Sequence, residues 1–533
     1  MKRKRHGRRS VRLGLIAAVF ALSTTVALGP AGALGRTPKR PRPKTVPCTA
    51  EAPDVTFDSP VFIDRNRAGG EPVSVVAQDG SINVSAHAGT THIYKNPDAL
   101  PGVRDFLWGY TNQTLNWRST DGGETWNYTG LAGTGQGPHS LLSTGFSDPD
   151  YAMDQDGNLY NVEIDLANDA VYKSTDDGQS WPVANPIAAP GDRPWLTALE
   201  PNEVFLYVNL PKTLLRTTDP NMLVWERLPA PPVTSKSVPD PLNPDNGLIG
   251  PVDLGGFAIS GDDAQTWTTY RFGPEGDAGG RNILGKATQF FGVVSVDNAG
   301  NVYQAAAGGY EDSHDETPDG EVTFTYYERE TGRTNQERIN IPVPEGDALW
   351  PWIIAGDDGR VAVVWYQNLK DDPTKFYIFG AVTHNATGRV RCSDGSTKLE
   401  PPKWTVSNLS GRPVHVGRIC LSGTTCNAES DFEAGDRRLG DFFTVNYDLD
   451  GNLIIASGDT TLPGSLTSFI PGMEGEEGEG EEGEEEEGEE EEEAKKPVGN
   501  PIFIRQIAGD RLLEKPIEPR ETRPMSSPLP LQP

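Results

Sequence analysis

The sequence predicts an all-β protein, a β-propeller of four-stranded antiparallel blades with seven blades, six being the alternative count. Three observations lead to this prediction. Glycine (59) and proline (45) are abundant among the 533 residues, and long helical patterns are scarce. Pairs of apolar runs around a tight turn recur along the chain, and a Ser/Thr-x-Asp turn that ends in Trp recurs between them. A pair of β-sandwiches is the alternative fold.

The first repeat is a hairpin signal, because Gly in an Asp-Gly or Asn-Gly turn accepts the positive φ that a two-residue turn requires. Turn-to-turn intervals of mostly about 45–75 residues are long enough for one blade each, so each hairpin should supply strands A and B of a blade. The copies are Val73–Ala86, Tyr151–Ile164, Leu196–Asn209, Val293–Ala306, Trp352–Tyr366 and Phe443–Ser457, with a blurred seventh at Pro244–Ser260.

The second repeat reads Ser/Thr-x-Asp, a turn, then Thr/Ser-Trp, in Arg118–Trp126, Lys173–Trp181 and Ile259–Trp267, with a damaged copy in Arg216–Trp225. An Asp carboxylate accepts N–H groups of its own turn, and Trp buries a large area. Because local bonding suffices, a structural role between strands C and D is favoured over catalysis or metal binding. The residues concerned are Ser119, Asp121, Gly123, Trp126, Ser174, Asp176, Gly178, Trp181, Ser260, Asp262 and Trp267.

This second repeat resembles the Asp-box of sialidases and other bacterial-neuraminidase-repeat propellers, over about residues 70–515, with Ala264 in place of Gly in the third copy. The resemblance implies the propeller, whereas the box occurs in enzymes and in non-enzymes. A sialidase would use an arginine triad, a Tyr nucleophile with a Glu partner, and an Asp acid/base. The Arg-Ile-Pro motif of that family is missing. The sequences nearest to it are Arg338-Ile339-Asn340 and Arg418-Ile419-Cys420, and no Tyr/Glu pair can be assigned.

The N-terminus predicts export. Residues 1–33 contain a basic region, the apolar stretch Leu13–Gly29 and a small-residue cleavage site, as in a signal peptide. A retained membrane anchor is the alternative. Residues 34–54 read as a basic, proline-rich linker, residues 55–515 as the propeller and residues 516–533 as a proline-rich tail.

Export permits disulfides, and the chain has four cysteines. Cys420 and Cys426 are close in sequence and are expected to pair, whereas the pairing of Cys48 and Cys392 is left open. A zinc site would need tighter Cys-x-x-Cys pairs. No cofactor is therefore expected, except that the acidic loop Asp312–Glu321 is a candidate for calcium.

The charge excludes some partners. The net charge is −29, and residues 474–493 alone contain fifteen Glu. Such a surface repels nucleic-acid phosphates and anionic lipids. Because Asn500–Lys515 reads as the last two strands of the last blade, residues 474–496 are predicted to be a disordered insertion within that blade.

The candidate ligand site lies on the face opposite the Asp-box turns, where the longer loops converge. Carboxylates, arginines and tryptophans together suit a sugar or an acidic glycan, because Arg binds carboxylates in a fork and Trp offers an apolar face. Structural ion pairs between blades are the alternative. The candidate residues are Arg104, Asp105, Asp148, Asp150, Asp192, Arg193, Trp195, Trp350, Trp352, Arg438 and Asp441.

These observations favour a secreted, non-catalytic propeller that binds a glycan or a surface protein. We expect it to be a monomer with no stable membrane span after signal cleavage. A sialidase-type exo-glycosidase acting on acidic glycans is the alternative function, and for it no catalytic residue can be assigned.

Overall fold

The repeated hairpins form the inner strands of seven antiparallel sheets, which are arranged as a β-propeller, as predicted. The structure is a computed structural model and describes residues 48–65, 69–87, 114–131, 147–165, 168–274, 284, 287–309, 320–421, 438–462 and 499–524. All of these lie in one unit, Cys48–Pro533. Innermost strands of successive blades contact each other around the ring, and those of the last and first blades contact each other as well.

In the first four blades, strands A to D follow each other along the chain. Blade 1 consists of Gly70–Val76, Ile82–His87, Thr114–Ser119 and Asn127–Leu131, and blade 2 of Ser147–Met153, Leu159–Asp165, Asn168–Ser174 and Val183–Ala189. Blade 3 consists of Asp192–Ala198, Val204–Leu210, Thr213–Thr217 and Glu226–Arg227, and blade 4 of Val238–Pro239, Leu248–Pro251, Gly256–Ser260 and Thr268–Arg271. The hairpin signal in Pro244–Ser260 thus forms strands B and C, one strand later than predicted.

Blades 5 and 6 carry additional short strands. Blade 5 consists of Val294–Val296, Val302–Gly308 and Glu321–Glu328, with Arg333–Thr334 and Ile339–Asn340 along the outer edge. Blade 6 consists of Ala348–Ala355, Val361–Leu369, Asp372–Thr383 and Thr405–Asn408, with His415–Val416 paired to its third strand. A separate hairpin, Arg389–Arg391 with Thr397–Leu399, lies between the third and fourth strands of blade 6.

Blade 7 is completed from both ends of the chain. Its inner strands are Thr444–Tyr447, Leu453–Asp459 and Asn500–Gly509, and its outer strand comes from Val55–Phe57 and Val61–Phe62. Asn500–Lys515 was expected to form strands C and D, but only strand C comes from it. The N-terminal segment takes the outer position instead, so that the ring is closed by hydrogen bonds between distant parts of the chain.

A disulfide also holds the N-terminal segment. Cys48 is bonded to Cys392, with their Cα atoms 5.2 Å apart and 344 residues between them in sequence. Cys420 is disulfide-bonded as well, but its predicted partner Cys426 lies outside the described residues. The bridge at Cys48 therefore attaches the start of the described chain to the extension of blade 6.

The Asp-containing turns between strands C and D share one hydrogen-bond pattern. In the first, Thr125 donates to Asp121 from its backbone N–H (2.9 Å), and the Gly123 N–H donates to the Ser119 hydroxyl (2.9 Å). Burial raises the pKa of Asp121, but the bonds from Thr125 and Ser119 outweigh it and lower the pKa to about 2. The equivalent bonds recur around Asp176 and Asp262. Local bonding within the turn accounts for these residues.

The turns between strands A and B lie on the same face as these boxes, which we call the Asp-box face. A C-terminal strap, residues 511–524, crosses this face in extended form. The backbone N–H of Leu512 donates to the Gly451 carbonyl (2.9 Å), and that of Ile517 donates to the Leu449 carbonyl (2.7 Å). The backbone N–H of Arg520 donates to the Gln78 carbonyl (2.8 Å). The strap thus connects the turns of blades 7 and 1, and Leu512 is buried in the main hydrophobic core.

Several predicted segments lie outside the described residues. These are the signal peptide 1–33, linker residues 34–47, the acidic insertion 474–496, most of the calcium candidate Asp312–Glu321, and tail residues 525–533. Among the residues that the structure describes, none belongs to a helix with the length and hydrophobicity needed to cross a membrane.

The buried Leu512 provides a test of the strap. Leu512 is 1% exposed and Ile517 is 50% exposed. Replacing a buried Leu by Ala typically costs about 2–5 kcal/mol of unfolding free energy. We expect Leu512→Ala to fall in that range and the matched control Ile517→Ala to stay within about 0.5 kcal/mol of the wild type in chemical denaturation. Equal effects of the two substitutions would contradict the prediction that the buried side chain of Leu512 holds the strap in place.

Candidate functional site

The face opposite the Asp-boxes carries a recurrent backbone irregularity at the start of strand A. In four blades a non-glycine residue with positive φ is followed at once by proline: Glu71 (50°), Asp148 (48°), Arg193 (58°) and Trp350 (50°). Left-handed backbone at such residues costs about 1–3 kcal/mol each and persists only where the surroundings enforce it. The residue before a proline is further restricted, which increases the constraint.

Glu71 connects three of the blades at this level. Its carboxylate accepts the backbone N–H of Asp148 from blade 2 (3.1 Å) and that of Asp441, which leads into blade 7 (2.8 Å). The approach is so close that a Cβ at Gly440 would lie 2.1 Å from Cγ of Glu71, and Gly440 itself has a φ of 76°. Position 440 therefore requires glycine for two independent reasons.

Arg193 completes the connection across the ring. Its Nη2 lies 3.1 Å from Oδ2 of Asp441, a residue 248 positions later in the sequence. Its guanidinium also lies over the ring of Phe290, 4.9 Å from the centroid. The predicted convergence of Arg193 and Asp441 is thus observed, and we call the set Glu71, Asp148, Arg193, Trp350 and Asp441 the channel mouth.

Below the channel mouth, aromatic side chains fill the centre of the ring. Trp195 from blade 3 contacts Phe291, Trp352 and Phe442, with ring centroids 5.0, 6.2 and 5.6 Å apart. These residues lead into or lie in the inner strands of blades 5, 6 and 7. Trp195 is 2% and Trp352 8% exposed, so both pack in the centre of the ring. Trp350 is equally buried and packs edge-on against Tyr366.

Asp150 was predicted to lie at the same site but is held elsewhere. Its two carboxylate oxygens lie 2.7 and 2.6 Å from Nζ of Lys236, and one of them accepts the backbone N–H of Leu196 (2.8 Å). Burial raises the pKa of Asp150 although Lys236 opposes the shift. This residue ties blade 2 to the segments of blades 3 and 4. Arg438 is buried, and Arg104 and Asp105 lie outside the described residues.

Sequence reasoning missed two residues of this region, Glu71 and Asp169. Asp169 is the second residue of strand C of blade 2 and is fully buried, and neither of its carboxyl oxygens has a hydrogen-bond partner within the described parts of the chain. Burial, and then the negative charges of Asp148 and Asp192, raise its pKa from the usual 3.8 to about 8. The residue-Pro pairs that recur at the start of strand A were a signal for Glu71, whereas Asp169 carried none.

No group of three or more His, Cys, Asp or Glu side chains suited to a metal ion occurs in the portion of the chain that the structure describes. The described side chains of the channel mouth include three carboxyl groups and one paired guanidinium. Such groups bind hydroxyls and amines through hydrogen bonds, and the protonated Asp169 is in addition a proton donor.

The raised pKa of Asp169 predicts a pH dependence. Between about pH 4 and pH 8 the folded chain keeps a proton that the unfolded chain has released, so Asp169 should lower stability as the pH rises through that window. Asn has the same shape and no charge, so Asp169→Asn should match the wild type near pH 4 and melt at a higher temperature near pH 8. The exposed Asp156→Asn is the control. A melting-temperature difference that stays constant from pH 4 to pH 9 would contradict the prediction.

Comparisons with known proteins find similar solved structures at low sequence identity. No family model matches the chain, and no curated protein matches it. Solved structures that resemble it include the GH74 enzyme of Niastella koreensis (15% identity, TM-score 0.41, covering 76% of this chain and 59% of that one). An α-L-arabinanase of Penicillium chrysogenum, complexed with arabinobiose, matches at 12% identity and TM-score 0.36 (86% and 99% covered). YCF48 of Cyanidioschyzon merolae matches at 11% identity and TM-score 0.37 (75% and 97% covered).

Proposed function

We propose that this protein is an exported, non-catalytic propeller that binds a hydroxyl-rich glycan at the channel mouth, with a surface protein as the alternative ligand. The single observation that carries the proposal is the strained backbone at Glu71, Asp148, Arg193 and Trp350. Strain of this kind is often found at active sites and ligand clamps, and it persists only where the surrounding structure enforces it. Glu71, Asp148 and Arg193 belong to one hydrogen-bonded network on the face opposite the Asp-boxes. Asp441 links Arg193 to Glu71 in that network.

The charge of the channel mouth narrows the ligand class. Arg193 is already paired with Asp441, so it is no longer a free partner for a ligand carboxylate. Negative charge predominates in the channel mouth, since it has three carboxyl groups, those of Glu71, Asp148 and Asp441, and one guanidinium group, that of Arg193. An acidic glycan would meet repulsion here, whereas neutral hydroxyls or amines would donate hydrogen bonds to the carboxylates. We therefore favour a neutral or amino sugar.

Export is supported by the covalent structure. The bond between Cys48 and Cys392 joins positions far apart in sequence. Disulfides of this kind persist in oxidising compartments and are rare in the cytosol. Together with the signal-peptide pattern in residues 1–33, this supports a location outside the cytoplasm.

One observation favours a second candidate, a glycoside hydrolase. Glycosidases pair a protonated carboxylic acid with an ionised carboxylate, and environment alone sets the two states. Here Asp169, whose pKa is raised to about 8, would be the protonated acid. Asp148 and Asp192, whose negative charges contribute to that raised pKa, would be the ionised carboxylates. If the wild type hydrolyses fluorogenic glycosides and Asp169→Asn does not, the protein is a glycoside hydrolase rather than a non-catalytic binding protein.

The binding proposal predicts a site-specific loss. On a glycan array, the wild-type chain should bind a set of neutral or amino glycans, and Asp148→Asn should weaken that binding about ten-fold or more, because a charge-assisted hydrogen bond is worth about 1.5–3 kcal/mol. Asp262→Asn on the Asp-box face is the matched control and should bind like the wild type. Absence of any bound glycan, or equal loss in both variants, would overturn the proposal.

Arg193→Ala tests how much the ion pair with Asp441 contributes to stability. Asp441 is 3% exposed in its side chain and would lose its charged partner. Removal of one partner of a buried pair costs about 3–5 kcal/mol. We expect a loss of that size by chemical denaturation, with partial recovery in the double variant Arg193→Ala/Asp441→Asn. A change below about 1 kcal/mol in Arg193→Ala would show that the pair contributes little to stability.

A further inference from the structure

A polar cavity of about 250 Å³ opens on the Asp-box face beside blade 6, away from the channel mouth. One wall is the A–B turn of that blade, residues 358–360, and another is the segment 384–391. The other walls come from N-terminal residues 49–51 and from Glu514 of the strap. The two ends of the described chain and one blade thus enclose a single cavity.

The walls are fixed by bonds that do not depend on a ligand. Cys48 is disulfide-bonded to Cys392, and the Ala50 N–H donates to the carboxylate of Glu400 (2.8 Å). On the opposite side, the Glu514 N–H donates to Asp357 (2.6 Å). A cavity with walls held in this way is largely pre-formed, as binding sites for small molecules usually are.

The charges around the cavity are balanced. Arg391 pairs with Asp358 (2.5 Å) and Arg360 with Glu514 (3.3 Å). The third guanidinium, that of Arg389, pairs with Glu328 and Glu330 of blade 5. With Glu51, the lining has three carboxylates and three guanidinium groups, so it is not a cluster of one sign. The rim instead presents N–H donors beside carboxylate acceptors, an arrangement that matches neighbouring hydroxyl groups, since each hydroxyl both donates and accepts.

His384 provides the unsatisfied group in the wall. Its Nε2 is buried and has no hydrogen-bond partner among the described residues. Burial, followed by the positive charge of Arg360, lowers the pKa of His384 to about 4, so the ring is neutral at pH 7. In a neutral imidazole Nε2 is either donor or acceptor, depending on the tautomer. A hydroxyl satisfies both forms, whereas an oxyanion satisfies only the donor.

We propose that this cavity is a second ligand site, which binds one neutral hydroxyl-rich ring, a monosaccharide or an inositol. His384 bonds to one hydroxyl, and the Arg391–Asp358 pair bonds to neighbouring ones. Pockets for drug-sized ligands span about 300–1,000 Å³, so a cavity of about 250 Å³ holds a single ring better than an oligosaccharide chain. This site is independent of the ligand proposed at the channel mouth.

The test is titration of the full-length chain with D-glucose, D-galactose, N-acetylglucosamine and myo-inositol, followed by calorimetry and by the imidazole NMR signal of His384. At least one of them should bind saturably and shift that signal. His384→Phe keeps a ring of similar size without the nitrogen and should weaken binding about ten-fold, the worth of one hydrogen bond. Val390→Trp, which fills the cavity, should abolish binding.

Two controls keep the outcome decisive. The shift of the His384 signal reports this cavity alone, and the exposed Asp156→Asn in blade 2 should leave that shift unchanged, so a failed glycan-array result would leave this site standing. Inorganic phosphate and acetate are the anionic comparison. Binding of phosphate or acetate alone, binding of none of the probes, or unchanged binding in His384→Phe would each overturn the proposal. Melting curves of both variants verify that they fold.

Discussion

The pairing of the N-terminal strand Val55–Phe57 with Asn500–Gly509 is the interaction on which the rest of the structure depends. A propeller of separate radial sheets has no stable open form, because each blade buries its faces against two neighbours. Ring closure here joins residues more than 400 positions apart in sequence, which costs chain entropy. Main-chain hydrogen bonds offset this cost, and the Cys48–Cys392 bridge holds the N-terminal segment in place. The channel mouth exists only in the closed ring, since Arg193 and Asp441 come from blades 3 and 7.

Local features of the fold could be predicted from the sequence because they are determined locally. The turns around Asp121 and Asp262 are made by side chains within a few residues of each other, so fixed spacing was sufficient to recognise them. Hairpins with Asp-Gly turns were recognised for the same reason. The hairpin in blade 4 was displaced by one strand because its innermost strand, Val238–Pro239, is only two residues long and lacks an alternating pattern.

Long-range features were predicted only in part. Strand order placed Arg193 and Asp441 on one face, which is correct, but it could not show that Asp150 turns to Lys236 instead. Successive strand residues point to opposite faces, and which face meets a lysine from another blade depends on the assembled ring. The outer strand of blade 7 was assigned to the wrong end of the chain for a related reason. Sequence adjacency favours a C-terminal strand, whereas closure of the ring uses the N-terminus.

The two faces of the ring differ in how their charged side chains are bonded. On the Asp-box face, the turns around Asp121, Asp176 and Asp262 are bonded by their own side chains, and the lowered pKa of Asp121 reflects a carboxylate that accepts several of these bonds. On the opposite face, backbone strain, a buried carboxyl group and a paired guanidinium occur together around Glu71. Glycine would relieve the left-handed backbone at Asp148 or Arg193, but at Arg193 it would also remove the ion pair with Asp441. The charged side chains at these strained positions join the inner strands of blades 1, 2, 3 and 7, and the ligand site that we propose on this face is built from them.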